Sequence, residues 1–72
     1  MNQADRAKLR ALVAYLQSKI KDERWRAQQY EKQGDERNAL IAQGAEVGFE
    51  IALRQLASAF NIPIDLEQEE QS

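Results

Sequence analysis

The chain has no cysteine and no histidine, a single proline and only three glycines among its 72 residues. Without thiols no disulfide can staple a small fold, and without thiolate or imidazole a zinc site has no ligands, leaving oxygen donors for hard cations alone. No metal or other cofactor is therefore expected. Cysteine absence fits a reducing compartment. No charged segment followed by a short apolar one opens the chain, and no run approaches the roughly 18 apolar residues of a membrane span. The expectation is a cytoplasmic protein with no membrane partner. Catalysis has few groups to draw on: nucleophiles, acids and bases must come from carboxylates, Lys, Tyr or the three serines Ser18, Ser58 and Ser72, none of which sits in a glycine-rich elbow. Glu46 and Glu50 lie one turn apart on a common helical face, but without supporting ligands they read as a solvated strip. Gly34, Gly44 and Gly48 match no phosphate-cradling pattern. The chain is not expected to be an enzyme.

What the chain does have is one long apolar stretch, NALIAQGAEVGFEIALRQLASAF, from Asn38 to Phe60. At helical periodicity its polar positions Gln43, Glu50, Arg54 and Asn61 fall on one narrow strip, with Glu46 and Ser58 at the margins. Phe49, Leu53, Leu56 and Phe60 make a bulky stripe; Ile41, Gly44, Ala45, Gly48 and Ala52 make a neighbouring one of mostly small residues. Leu40, Val47 and Ile51 widen the apolar arc further. An ordinary surface helix shows an apolar stripe of somewhat over about 100°, and this arc covers roughly twice that. One neighbour cannot cover it.

Ahead of this stretch, Asn2 and Asp5 resemble a capping box, and Leu9, Leu12, Val13, Leu16, Ile20, Ala27 and Tyr30 recur at threes and fours. The spacing predicts one helix over about residues 3–32, with its second half held less tightly because Glu23 and Arg24 interrupt the stripe. Gly34 then supplies the left-handed residue that ends a helix, and Asp35 accepts the orphan amides that begin the next, over about residues 36–60. Asn61 and Pro63 end it. So short a connection makes the helices antiparallel neighbours. Leu9 then meets Phe60, Val13 meets Leu56, Leu16 meets Leu53 and Ile20 meets Phe49. The small stripe is left over, and Gly44 and Gly48 each cost about 1 kcal/mol relative to Ala in a helix, a penalty that close approach of another helix would offset. The expected fold is all-α: an antiparallel two-helix hairpin that assembles as a homo-oligomer, a dimeric four-helix bundle joined through Ile41, Gly44, Ala45, Gly48 and Ala52. Residues 1–66 read as the single domain and EQEEQS, residues 67–72, as a disordered acidic tail.

Charge is spread unevenly about a net of −2. Residues 1–32 hold eight Lys/Arg against four Asp/Glu, giving +4, and residues 33–72 hold two against eight, giving −6. On the first helix Trp25 projects opposite the Leu16 and Ile20 stripe, and Arg10, Gln17, Lys21, Arg24 and Gln28 run as a basic, amide-rich band along that side. Tryptophan and arginine in one patch suit a protein interface, where those residue types carry much of the binding energy. The same band suits a phosphate backbone with Trp25 or Tyr15 stacked on a base. A third option buries Trp25 inside the oligomer, with Ala7, Ala11 and Ala14 lining that contact. In outline, a helix, the Gly34-Asp35 turn, a second helix and an acidic tail, the chain resembles the dimeric four-helix plasmid regulators that bind RNA hairpins; the likeness is architectural and implies no site residue. The functional expectation is a small non-enzymatic interaction module, an adaptor or regulator that meets another protein through Arg10, Gln17, Lys21, Arg24, Trp25 and Gln28. RNA binding by that face is the alternative, disfavoured by a pI near 5.0.

Overall fold

The computed structural model describes residues 1–64; Asp65, Leu66 and the acidic segment 67–72 expected to be disordered lie outside the described residues. Two helices make up the fold, α1 over Gln3–Lys32 and α2 over Glu36–Phe60. Each boundary has a local cause. Asn2 Oδ1 accepts from the Asp5 amide at 2.8 Å, taking up one of the orphan donors of the first turn. At the other end of α1, Gly34 adopts a φ of 76°, its amide donates to the Glu31 carbonyl, and the Asp35 amide reaches back to the Tyr30 carbonyl at 2.9 Å. This is a Schellman closure, and glycine is the residue that enters the left-handed region without a Cβ penalty. Asp35 immediately starts α2: one carboxylate oxygen accepts from the Asn38 amide at 3.2 Å and the other from the Asn38 side chain at 2.7 Å. Asn61, at φ 55°, ends α2 with its own amide and that of Ile62 donating to the Ala57 carbonyl.

The two helices pack against each other along their lengths, antiparallel, as the cross-seam partners show: Glu31 meets Gln43, Arg24 meets Glu46 and Glu50, and Ile20 meets Leu53. Ile20 and Leu53 have no exposed surface and form the centre of the core, with Val13, Leu16, Phe49 and Ile64 packed around them. Towards the turn the seam is closed by the buried alanines Ala27, Ala39 and Ala42, whose small side chains let the helices approach closely.

Two features differ from the sequence-based expectation. The face that α2 turns to α1 is centred on Ala39, Ala42, Leu53 and Ala57, so the bulky stripe meets α1 through Leu53, with Phe49 half-buried against it, while Leu56 is half-buried and Phe60 is 47% exposed. The cause is polar. Rotating α2 this way brings Glu46 and Glu50 over Arg24, where they gain a counter-charge. The turn-proximal half of α1 is packed through polar side chains. Glu23 is buried at 8% exposure and accepts from Arg26 Nη1 at 2.6 Å, so the residues that break the apolar stripe form a satisfied polar layer.

Candidate functional site

Three surfaces remain once the seam is closed. The first is the outer side of α1. Trp25 is 62% exposed there, and Arg10, Lys21 and Gln28 are exposed along the same side, with Gln17 half-buried. Trp25 borders a shallow depression with Arg26, Gln29, Tyr30 and Gln33. Arg24 is set apart from the band by its geometry. Its Nε donates to Glu46 Oε2 at 3.0 Å and its Nη2 reaches Glu50 Oε1 at 3.5 Å, leaving the side chain 23% exposed. The guanidinium thus turns two of its donors into the hairpin, on the edge of the band.

The carboxylates it holds are not a solvated strip. Glu46 and Glu50 are mostly covered, and they stand close enough for a protonated Glu50 to hydrogen-bond to Glu46. Burial, that hydrogen bond and the Glu46 charge raise the Glu50 pKa above the ordinary glutamate range, against the opposing pull of Arg24 and Arg54. An arginine clamping two carboxylates from the facing helix ties α1 to α2 and fixes their relative rotation. Among the described residues no group of His, Cys, Asp and Glu side chains is arranged to hold a metal ion.

The second surface is the back of α2, the side turned away from α1. Leu40, Ile41, Val47 and Ile51 stand 52–66% exposed on it, and Gly44, Gly48 and Ala52 are exposed between them, with Ala45 half-buried at the margin. A Cβ added at Gly44 or Gly48 would meet no heavy atom within 4 Å. Neither glycine is required by the hairpin itself. Leu40, Val47 and Ile51 join Ile41 as the large side chains of this face, and the small stripe does not include these three. The signal was their spacing with Gly44, at four, three and four, the mark of a single helical face.

The third surface is the open end of the hairpin, where Met1, Leu9 and Phe60 border two adjoining hollows of about 390 and 490 Å³. Arg6, Arg10, Val13 and Ile62 line one, and Lys8, Leu12 and Leu56 the other. Leu9 and Phe60, expected to pair, border the same hollows here, and Phe60 is 47% exposed. No described helix is long and apolar enough to cross a membrane. Comparison with protein-family models, curated proteins and solved structures finds no match to the chain.

Proposed function

We propose that the chain is a non-enzymatic interaction module, an adaptor or regulator that works as a homodimer. Two hairpins join through the back of α2 into a dimeric four-helix bundle, and the outer side of α1 presents Trp25, with Arg10, Gln17, Lys21 and Gln28, to a protein partner. The observation that carries the reading is the position of Trp25. The largest side chain of the chain stands 62% exposed on the side of α1 away from the seam, where it contributes little to the hairpin's own core. Rigid aromatic side chains flanked by arginine and amides are the anchors of protein interfaces. Two observations favour protein over nucleic acid as the partner: Arg24 is committed to Glu46 and Glu50, and the chain as a whole is acidic, with a pI near 5.0.

Trp25 is the sole tryptophan, so its fluorescence reports this surface alone. The expected result is solvent-exposed emission that does not change as the protein is concentrated, together with Trp25→Ala retaining the wild-type melting temperature while losing partner capture. Emission that shifts to the blue with concentration would bury Trp25 in the self-contact and remove the partner surface. RNA and DNA titrated at two salt concentrations distinguish the alternative, since phosphate binding weakens steeply with salt.

A further inference from the structure

Beyond Asn61 the chain turns back along the hairpin. Ile62 borders the hollow lined by Arg10, Val13, Ala14 and Gln17, and Ile64 packs against the Ile20 and Leu53 core. Both isoleucines are half-buried and Pro63 between them is exposed, the alternation of an extended segment laid on a surface. Proline favours that backbone in the residue before it. The same contacts set the direction: from the open end towards the turn, on the side of α1 that carries Arg10 and Gln17. An extended residue advances about 3.3 Å and a helical one about 1.5 Å, so each residue of this segment passes about two of α1. Ahead of it on that side lie Lys21, Arg24 and Gln28.

The residues next in sequence, DLEQEEQS from Asp65 to Ser72, hold four carboxylates and neither lysine nor arginine. Such a composition builds no core of its own, which is the basis for expecting disorder, but it complements a basic surface placed beside it. We propose that residues 65–72 continue the line of Ile62 and Ile64 along α1 and lay their carboxylates over its basic band, so that the side of α1 proposed for a partner carries an acidic cover from its own chain. Continuing the alternation brings Leu66 to the turn of α1 that holds Lys21 and Arg24, with Trp25 beside it, and Gln68 to the next turn, at Gln28. Glu46 and Glu50, held by Arg24, stand on the α2 edge of this path and turn an acidic segment away from α2 and on to α1. Exposed ion pairs are individually weak, but a segment tethered at Ile64 is held at high effective concentration, so several act together. The cover rests on the partner reading above in one respect: a protein that takes Trp25 and the band must displace it.

The chain has no cysteine, so introduced thiols report without background. Gln68→Cys is combined with Gln28→Cys or, as the reference, with Asp22→Cys, an exposed position one residue along from Lys21 and so about 100° round the helix. Each full-length chain is equilibrated with a glutathione buffer in dilute solution, and the disulfide counted is the one within a single chain. The expected result is an effective thiol concentration at least about tenfold higher for the Gln28 pair than for the Asp22 pair at low salt. That preference falls to about twofold or less in about 1 M salt, and also when Glu67, Glu69 and Glu70 are changed to Gln. Equal linking of the two pairs at low salt overturns the docked segment. A preference for Gln28 that neither salt nor neutralisation reduces overturns its acidic cause. Linking needs no partner, so its failure leaves the partner surface of α1 standing. Conversely, Trp25 emission that shifts to the blue with concentration removes that surface and leaves the preference measured in dilute protein unchanged.

Discussion

Two residues two positions apart on α2 separate folding from assembly. Leu53 has no exposed surface, whereas Ile51 is 56% exposed in the lone hairpin. Leu53→Ala empties the centre of the core, and large-to-small changes at such sites cost about 2–5 kcal/mol. In a chain this short that lowers the melting temperature by about 10 °C or more at every protein concentration. Ile51→Ala should do nothing of the kind to the hairpin: exposed substitutions stay within about 0.5 kcal/mol, and alanine is the better helix former. Under a second copy the balance changes. Fully burying such a side chain is worth about 1.5–3 kcal/mol, so covering the 56% of Ile51 left exposed is worth about 1–1.5 kcal/mol per copy. Two copies give about 2–3 kcal/mol, and the dimer dissociation constant rises roughly 30- to 150-fold. Sedimentation equilibrium measures that constant, and thermal melts at concentrations about a hundredfold apart measure its effect on stability. Wild-type melts independent of concentration, or an Ile51→Ala dimer as tight as wild type, would refute the covering of this face by a second copy.

Three further outcomes are expected. Gly44→Ala should have opposite effects on the two processes: the hairpin gains up to about 1 kcal/mol of helix propensity because nothing obstructs the new Cβ, while the dimer weakens because the methyl group occupies the partner's space. A gain in both, read by melting and sedimentation, would show that no helix approaches there. Gly34→Ala forces a Cβ into a φ of 76° and should cost about 1–2 kcal/mol, seen as a fall of several degrees in melting temperature; an unchanged value would mean that the turn can re-form without the left-handed residue. Because the Glu50 pKa is raised, the folded state holds that proton more tightly than the unfolded state, so the contribution is full below the ordinary glutamate pKa and is lost as pH rises through the raised one. Glu50→Gln should therefore flatten the decline in urea midpoint over that interval, and an undiminished decline would assign the proton to another group.

Most of the backbone was legible in the residues because each boundary has its own short-range chemistry. Asn2, Gly34, Asp35 and Asn61 act on the amides and carbonyls within five positions of themselves, so no knowledge of the fold is needed to place them. The rotation of α2 against α1 was not legible in the same way. A projection ranks faces by size and hydropathy, which favoured Phe49, Leu56 and Phe60 over Ala39, Ala42 and Ala57. The actual choice depends on what each rotation does to the charges. With the bulky stripe fully inward, Glu46 and Glu50 turn away from Arg24; with the alanines inward, the helices approach closely and the three charges meet. That pairing spans 22 and 26 residues of sequence, beyond the reach of any local pattern. For the same reason a projection of α1 alone sets Arg24 in the partner band: the α2 carboxylates that stand beside it do not enter such a projection.

The rotation also bears on the proposed self-association. Turning the alanines inward shortens the reach of the core, and among the described residues only Ile20 and Leu53 end with no exposed surface. The same turn carries Leu40, Ile41, Val47 and Ile51 to the far side of α2, each more than half exposed. On the scale applied to Ile51, these four side chains have roughly 4–6 kcal/mol per copy still to gain from cover, against the few kcal/mol of net stability that a single small core supplies. On the homodimer reading, the cover that α2 gains is therefore large beside the hairpin's own stability, and association and folding are coupled. Urea unfolding followed by helicity should then show a midpoint that climbs with protein concentration, while Leu53→Ala and Ile51→Ala both lower it, the first by loosening the subunit and the second by releasing it. Arg24 is the link between the two. By holding Glu46 and Glu50 against α1 it fixes which side of α2 faces outward, so Arg24→Ala should weaken the dimer without touching its interface. Thermal melts of the diluted monomer separate that effect from simple loss of an ion pair: a monomer destabilised by Arg24→Ala with an unchanged dimer constant would show that the clamp stabilises the hairpin but does not set its rotation.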